Sequence, residues 1–194
     1  REHVHPGHPE RRSQPDLKRG SVSCGEGKGG KLGFVSEFGQ EKGRASVITA
    51  AGVFFHIDNM DDVCRGVHEI LDDQGVFHIQ AIYLGSMVEQ TSFDNVYHEH
   101  VSYYTLRPLI RLLDRFDLKV FHVKQSPIHG GSLLVYVCHH GAFPVQESVL
   151  QLLAQEHDRG WDTLGPYQEF ARKVEKLRED LLGLLCDLKA QGKR

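Results

Sequence analysis

Six side chains that can donate, accept or transfer a proton lie within eight consecutive positions of the sequence. They occur in the stretch SFDNVYHEHVSYYTLRP, and they are Tyr97, His98, Glu99, His100, Tyr103 and Tyr104. The stretch lies between a segment with the pattern of a strand and a segment with the pattern of a helix. Three interpretations are open: a metal site, a general-base site, or a polar loop rich in histidine.

A metal site needs ligands that converge. If the chain is extended here, His98 and His100 point to the same side, as metal ligands on a strand do, and Glu99 points to the other. A third ligand would come from elsewhere, with His56 and His129 as candidates. Two loop histidines bonded to water explain the pattern equally well, so a histidine-based metal protein stays one hypothesis, supported by the 13 histidines.

A general-base site uses the same residues differently. Histidine has an unperturbed pKa of about 6.5, so it can take a proton near neutrality. A carboxylate such as that of Glu99 can orient an imidazole, and a tyrosine hydroxyl can donate to a developing oxyanion. Deprotonation of a carbon next to a ketone needs this combination of a base and an oxyanion donor.

Two strand–helix units precede and include this stretch. The near-continuous apolar run over residues 46–57 predicts a strand buried on both faces. Asp58 or Asn59 can cap the helix that follows, and Gly75 ends it. The run over 76–83 predicts a second strand.

The remaining elements follow in order. We predict a helix over 105–118, two strands over 119–125 and 132–138, and two helices over 145–158 and 166–190. The link between the last two strands is short, so these strands pair antiparallel, whereas strands joined through a helix are parallel.

This order predicts an α/β fold, similar to the second half of a class I methyltransferase (Rossmann-like) sheet with a C-terminal antiparallel hairpin, followed by two helices. Ligands of such sheets bind beyond the carboxyl ends of the strands. His56 follows one strand and the Tyr97–His100 loop follows the next, so both are expected at the ligand edge.

Composition narrows the class of protein. With 40% hydrophobic and 25% charged residues and a net charge of -3, the chain reads as a globular protein without affinity for nucleic acid or an anionic membrane. No apolar run reaches the roughly 18 residues of a membrane span. The four cysteines are far apart and form no C-x-x-C pair, which favours a cytoplasmic location.

Both ends of the sequence differ from its middle. Residues 1–45 are dominated by charge, Gly, Pro and Ser, and the chain starts without Met, so we expect a disordered or unrelated segment on a fragment. Within it, Cys24 to Gly30 reads as a flexible linker more than a cofactor-binding glycine turn. The last predicted helix carries an apolar stripe that requires a cover, and self-association through this helix would supply one.

Three ordered motifs carry a family resemblance: VITAAGVFFHIDNMDDVCRGVHEIL, FDNVYHEHVSYYTLRPL and IHGGSLLVYV. Together they resemble the S-adenosylmethionine-dependent C-methyltransferases of deoxysugar biosynthesis, which act on nucleotide-linked keto-deoxysugars. The resemblance covers roughly residues 45–194. It implies S-adenosylmethionine as cofactor, a nucleotide-sugar as small-molecule substrate, and no metal in the active site.

The resemblance also implies roles for individual residues. His100 would remove the C3 proton of the sugar, Tyr97 and Glu99 would assist, and His56 would lie beside the reacting carbon. The resulting enolate would be stabilised toward the C4 oxygen. The residues implied in substrate binding are His98, Tyr103, His129 and Ser132. The residues implied in cofactor binding are Ala50, Ala51 and Gly52.

The sequence departs from the family pattern in its flanks. The resemblance implies a protein of three parts: a zinc-binding module with cysteine pairs, the methyltransferase sheet, and a second Rossmann-like lobe. We therefore expect a methyltransferase-like domain over 46–140, then a helical segment over 141–194 leading to an absent second lobe. Leu134 stands where the family motif has arginine. An inactive fragment or pseudo-enzyme that at most binds a protein partner through its last helix remains an alternative.

Overall fold

Four strands and five α-helices make up the part of the chain that the structure, a computed structural model, describes: residues 43–193. The strands are β1 (Ala45–Ala51), β2 (Leu71–Ile82), β3 (Leu118–Ser126) and β4 (Ser132–His139). The α-helices are α1 (Met60–Ile70), α2 (Leu84–Gln90), α3 (Leu106–Asp114), α4 (Glu147–Asp158) and α5 (Gly165–Ala190). Short 3-10 turns occur at Phe54–His56, Phe93–Asn95 and Ile128–Gly130.

The strands form one sheet in the order β1-β2-β4-β3. Strand β1 pairs parallel with β2, and β4 lies antiparallel between β2 and β3. Strands β1, β2 and β3 therefore all end at one edge of the sheet, where β4 begins; Ile82 pairs there with Ser132. This arrangement confirms the predicted α/β fold and the closing hairpin, and it defines the carboxyl edge at which ligands of such sheets bind.

The first predicted strand was too long. Strand β1 ends at Ala51, the chain turns at Gly52 with a φ of +68°, and Phe54–His56 forms a 3-10 turn whose two phenylalanines are buried. The prediction that this strand is buried on both faces was also wrong, because β1 is an edge strand of the described sheet and Val47 is exposed. An apolar run alone does not distinguish a buried strand from a buried turn.

Helix boundaries follow local chemistry in most places. The Oδ1 atom of Asn59 accepts a hydrogen bond from the Asp62 backbone N–H at 3.3 Å, so the predicted cap of α1 is confirmed. Gly75 does not end that helix: α1 stops at Ile70 and Gly75 lies within β2. A Cβ at position 75 would lie 2.9 Å from the Ala45 carbonyl oxygen, so glycine allows the close approach of β1.

The core lies between the sheet and the helices packed on it. Helix α3 contributes Leu106, Leu109 and Leu113, which are fully buried and share one face of the helix. They pack in the same cluster as Val135 and Val137 of β4. Burying each such side chain contributes about 1.5–3 kcal/mol, so α3 holds firmly to the sheet and fixes the loop that precedes it.

Helices α4 and α5 match the two predicted C-terminal helices, whereas α2 was not anticipated. No side chain of α5 is fully buried, and its leucine stripe is largely exposed. Among the helices of residues 43–193, none is both long and apolar enough to cross a membrane. The expectations for residues 1–42, including the segment Cys24 to Gly30, lie outside the described residues.

Candidate active site

Two histidines meet at the carboxyl edge of the sheet. His56 closes the turn after β1, His100 lies in the loop between α2 and α3, and their ring centroids are 5.0 Å apart. His100 is buried, with 8% of its surface exposed, and the Phe55 ring packs edge-on against it at 4.7 Å. His56 remains exposed. The edge thus holds one desolvated imidazole beside one that solvent reaches.

Backbone hydrogen bonds hold the loop against the first turn. The Phe55 carbonyl oxygen accepts from the N–H groups of Val101 and Ser102 at 3.0 and 3.2 Å. At the end of the loop, the Tyr104 carbonyl oxygen accepts from the Leu84 N–H at 3.0 Å. The C-terminal part of the loop, residues 101–104, is therefore tied to the turn after β1 and to the start of α2.

The hydrogen bonds of the two rings fix their tautomers. The Nδ1 atom of His100 lies 2.7 Å from the Asn95 carbonyl oxygen, and the Nδ1 atom of His56 lies 2.7 Å from the Glu99 carbonyl oxygen. Because a carbonyl oxygen only accepts, each Nδ1 carries the proton and each Nε2 of the neutral ring carries the lone pair. Neither Nε2 has a hydrogen-bond partner within residues 43–193.

Two tyrosines border the buried imidazole. The ring centroid of Tyr97 lies 4.0 Å from that of His100, and the Tyr97 side chain is about half exposed. The hydroxyl of Tyr103 donates to the Asn95 carbonyl oxygen at 3.2 Å, which is also the acceptor for His100. Desolvation raises the pKa of the Tyr103 hydroxyl, which keeps it protonated as a donor.

Glu99 and His98 lie on the outer side of the loop. Their side chains approach within 3.9 Å of each other and are 62% and 89% exposed, respectively. The carboxylate of Glu99 makes no hydrogen bond to His56 or His100, so Glu99 orients His56 through its backbone carbonyl instead. Residues 97–99 form a turn, which separates His98 from His100; the extended H-x-H arrangement was therefore wrong. The described residues contain no group of three candidate ligands that could hold a metal ion.

The turn between β3 and β4 lies beside the histidine loop. A Cβ on Gly130 would lie 4.0 Å from the Asn95 side-chain amide nitrogen. His129, in this turn, is exposed and adopts a φ of +55°. Ser132 is buried, and its hydroxyl donates to the Ile128 carbonyl oxygen at 2.9 Å. His129 can therefore reach a ligand at this edge, whereas the Ser132 hydroxyl holds the turn.

The end of β1 offers a surface with small side chains. Ala50 is buried and Ala51 is exposed, and Gly52 turns the chain with its N–H donating to the Gln80 carbonyl oxygen at 3.2 Å. No atom lies within 4 Å of the position a Gly52 Cβ would occupy. Ala51 and Gly52 therefore leave room for a ligand at this edge, whereas the buried Ala50 packs into the core.

Two features of the site were missed by the sequence reasoning. Asn95 acts through a backbone carbonyl, which no side-chain pattern reveals. Glu156 of α4 is buried and accepts hydrogen bonds from the Tyr83 hydroxyl and the N–H groups of Leu106 and Arg107, at 3.0, 2.6 and 3.3 Å. It caps α3 in place of Thr105, whose side chain makes no capping bond. A carboxylate on the apolar face of α4 was the signal that could have identified it.

The sheet order and its antiparallel hairpin are those of the Rossmann-like α/β class to which class I methyltransferases belong. A family model described as "Methyltransferase domain" matches residues 13–123, and one described as "C-methyltransferase C-terminal domain" matches residues 127–194. The chain belongs to the methyltransferase domain family, and the cofactor of this class is S-adenosylmethionine.

A curated relative and two solved structures are similar to this chain. C-methyltransferase NovU of Streptomyces niveus is 32% identical over 166 residues, which are 83% of this chain and 40% of NovU. An O-methyltransferase of neocarzinostatin biosynthesis, solved with S-adenosylmethionine and 2-hydroxy-5-methyl naphthoic acid, is 20% identical with a TM-score of 0.37, covering 49% of this chain and 29% of that chain. A structure solved for the conversion of a disulfide bond into a thioacetal group during echinomycin biosynthesis is 13% identical with a TM-score of 0.37, covering 60% and 56%.

Proposed function

We propose that this chain takes part in S-adenosylmethionine-dependent C-methylation of a nucleotide-linked keto-deoxysugar, with His100 as the general base. One observation carries the proposal: the Nδ1–H of His100 is held by the Asn95 carbonyl, so the ring presents an unprotonated Nε2. The relationship to C-methyltransferase NovU supports methyl transfer to carbon.

The base acts on a carbon acid. Nε2 of His100 takes the proton from C3 of the sugar, and the electron pair of that C–H bond becomes shared between C3 and the neighbouring C4 carbonyl oxygen. The Phe55 ring covers one side of the His100 imidazole, which leaves Nε2 as the ring nitrogen available to the substrate and to solvent. General-base catalysis of this kind contributes about 10²–10⁴-fold in rate.

The negative charge that develops on the C4 oxygen requires a donor. The Tyr97 hydroxyl can provide it, since the Tyr97 ring stacks beside His100 and half of its side chain remains accessible to a ligand. His56, 5.0 Å away, presents an unprotonated Nε2 in its neutral form and cannot donate from it. We assign Nε2 of His56 as the acceptor of a hydrogen bond from a substrate hydroxyl group beside the reacting carbon.

The cofactor supplies an electrophilic methyl group when bound. Ala51 and Gly52 form the wall of the site on the β1 side, and the Gly52 backbone leaves open space above it. We assign His98 and His129 to the distal parts of the substrate; their exposure supports this role. Cytoplasmic location is part of the same proposal.

Proton exchange tests the base without needing the cofactor. A nucleotide-linked 4-keto-6-deoxysugar is incubated with the chain in D₂O, and loss of the C3 proton is followed by NMR. His100→Ala is expected to slow exchange by about 10²–10⁴-fold, because no other imidazole is held in that position. His140→Ala is the matched control: it removes an exposed imidazole that follows β4 at the opposite edge of the sheet, and it is expected to leave exchange unchanged.

Either of two results would count against the proposal. Equal exchange by wild type and His100→Ala would remove His100 as the base. No exchange by folded wild type, together with no calorimetric binding of S-adenosylhomocysteine, would favour an inactive chain. Micromolar binding of that product, about -8 kcal/mol, is the expected result.

The exposed stripe of α5 favours a second role, self-association. Phe170, Val174, Leu177, Leu181, Leu184 and Leu188 recur at alternating spacings of four and three residues, the pattern of a coiled-coil seam. In an antiparallel pair of α5 helices, Lys173 would face Asp187 of the partner subunit. The charges of this one pair are complementary, although the same register sets Asp180 against its own copy, and neither Lys173 nor Asp187 makes an ion pair within residues 43–193. We therefore propose a second copy of this chain as the cover of the stripe.

A further inference from the structure

A second cleft lies on the outer side of α3, away from the histidine pair. It has a volume of about 510 Å³ and is bounded by α3, the end of α4 and the segment that leads to α5. Arg107, Arg111 and Arg115 line it from α3, at a spacing of four residues, so their side chains share one face of the helix. Three guanidinium groups therefore border one concave surface.

The carboxylates near this cleft are already engaged. Glu156 accepts from the Tyr83 hydroxyl and from two backbone N–H groups, and Asp162 lies 3.2 Å from Nδ1 of His157. The hydrogen bond from His157 lowers the pKa of Asp162, which keeps that carboxylate charged. Neither carboxylate forms a salt bridge with an arginine of α3.

The three arginines of the cleft differ in whether they form a salt bridge. Arg115 pairs with Asp61 at 2.7 Å. The guanidinium groups of Arg107 and Arg111 make no salt bridge within the described residues, and they lie one helical turn apart. Arg107 interacts electrostatically with the Glu156 and Asp162 carboxylates that also line the cleft. A guanidinium fork matches the oxygens of a phosphate group, so Arg107 and Arg111 together can hold one beside these carboxylates.

We propose that this cleft binds a phosphate or diphosphate group through Arg107 and Arg111. A free anion and the diphosphate of a nucleotide-linked molecule offer the same chemistry to two guanidinium groups. The inference stands apart from the proposed methyl transfer, because it uses neither histidine of the active site and none of the residues at the end of β1.

The sequence contains a built-in reporter for this cleft. Trp161 is the single tryptophan of the chain; it lines the cleft and is 6% exposed. Its ring lies under the Arg159 guanidinium at 5.1 Å, so an anion that attracts nearby arginines changes the surroundings of the indole. Tryptophan emission therefore reports on occupancy of the cleft and not on the histidine pair.

The test is a fluorescence titration of the purified chain with inorganic pyrophosphate, at constant ionic strength maintained with chloride. A saturable change is expected in wild type. Arg111→Ala is expected to weaken binding by about tenfold or more, because it removes half of the two-arginine fork. Arg178→Ala, an exposed arginine of α5, is the control with the same change in net charge and is expected to bind as wild type does.

Two further arms separate the sources of the anion. If a nucleoside diphosphate binds at least tenfold more tightly than pyrophosphate, the cleft takes a nucleotide; if the two bind alike, it takes the phosphate groups alone. Both results support the proposal. It is overturned if pyrophosphate gives no saturable change, or if Arg111→Ala and Arg178→Ala respond like wild type. Deuterium exchange at the sugar C3 is measured separately, so failure of one proposal leaves the other readable.

Discussion

Glu156 joins three parts of the molecule, and its removal gives the sharpest test of the packing described above. Its carboxylate accepts from the Tyr83 hydroxyl after β2 and from the Leu106 and Arg107 N–H groups in the first turn of α3. The residue itself is 3% exposed. Glu156→Ala removes the only acceptor that these donors have within the described residues.

The cost follows from how deeply each donor is buried. Leu106 and Tyr83 are at most 1% exposed, so their donors cannot turn to water, whereas Arg107 is partly exposed and can. A buried donor left unsatisfied costs about 1–3 kcal/mol, and two such donors give a loss of about 2–6 kcal/mol. The free energy of unfolding is measured by urea denaturation. Gln155→Ala, an exposed neighbour on α4, is the control and is expected to change it by less than about 0.5 kcal/mol.

A loss below about 1 kcal/mol for Glu156→Ala would show that water replaces the carboxylate, and the reasoning would be refuted. The pH dependence gives a second test. Burial raises the pKa of Glu156 above its usual value of 4.5, against the opposing effect of its hydrogen-bond donors. The part of this stability that depends on the bound proton is fully present below the unfolded pKa and is lost as pH rises through the folded pKa. The free energy of unfolding of wild type minus that of Glu156→Gln should therefore fall as pH rises above 4.5; an increase would contradict the direction of the shift.

Two further predictions concern accessibility. Burial raises the pKa of the Cys64 thiol to about 11, whereas Cys186 is exposed, so iodoacetamide at pH 8 should label Cys186 and spare Cys64 in the folded chain, as read by mass spectrometry of the peptides; equal labelling rates would contradict the burial of Cys64. Leu181→Glu should lower the molar mass measured by light scattering to that of a single chain, because it places a charge in the α5 seam, while Leu150→Glu, an exposed leucine of α4, should leave the mass unchanged; a wild-type mass equal to one chain would exclude self-association through α5.

Much of the fold was accessible from the sequence because local signals agreed there. Two runs rich in β-branched residues, joined by a link that contains Pro and Gly, predict the hairpin of β3 and β4. The Asn59 cap predicts the start of α1. The end of β1 was not accessible, because Phe54 and Phe55 are buried by a turn as completely as they would be by a strand. The pattern of apolar residues indicates which side chains are buried, and here buried side chains belong to a turn and not to a strand.

The sequence predicted which residues of the candidate site lie together, but not how their rings are oriented. The placement of His56 and His100 at one edge follows from strand order, which the sequence predicts. The orientation of their rings depends on the Asn95 and Glu99 carbonyls, and main-chain atoms carry no residue identity. The sequence led us to expect that the Glu99 carboxylate orients an imidazole of the site, yet this side chain faces His98 and solvent.

The Asn95 and Glu99 carbonyls also determine which substitutions the histidine pair tolerates. Substitution of the Asn95 or Glu99 side chain leaves the acceptor oxygen in the chain, so the tautomers of His100 and His56 are insensitive to mutation at the positions that set them. A change in the length of the loop would move both oxygens at once. The orientation of both rings therefore depends on the length of this loop and the course of its backbone, and not on the side chains at positions 95 and 99.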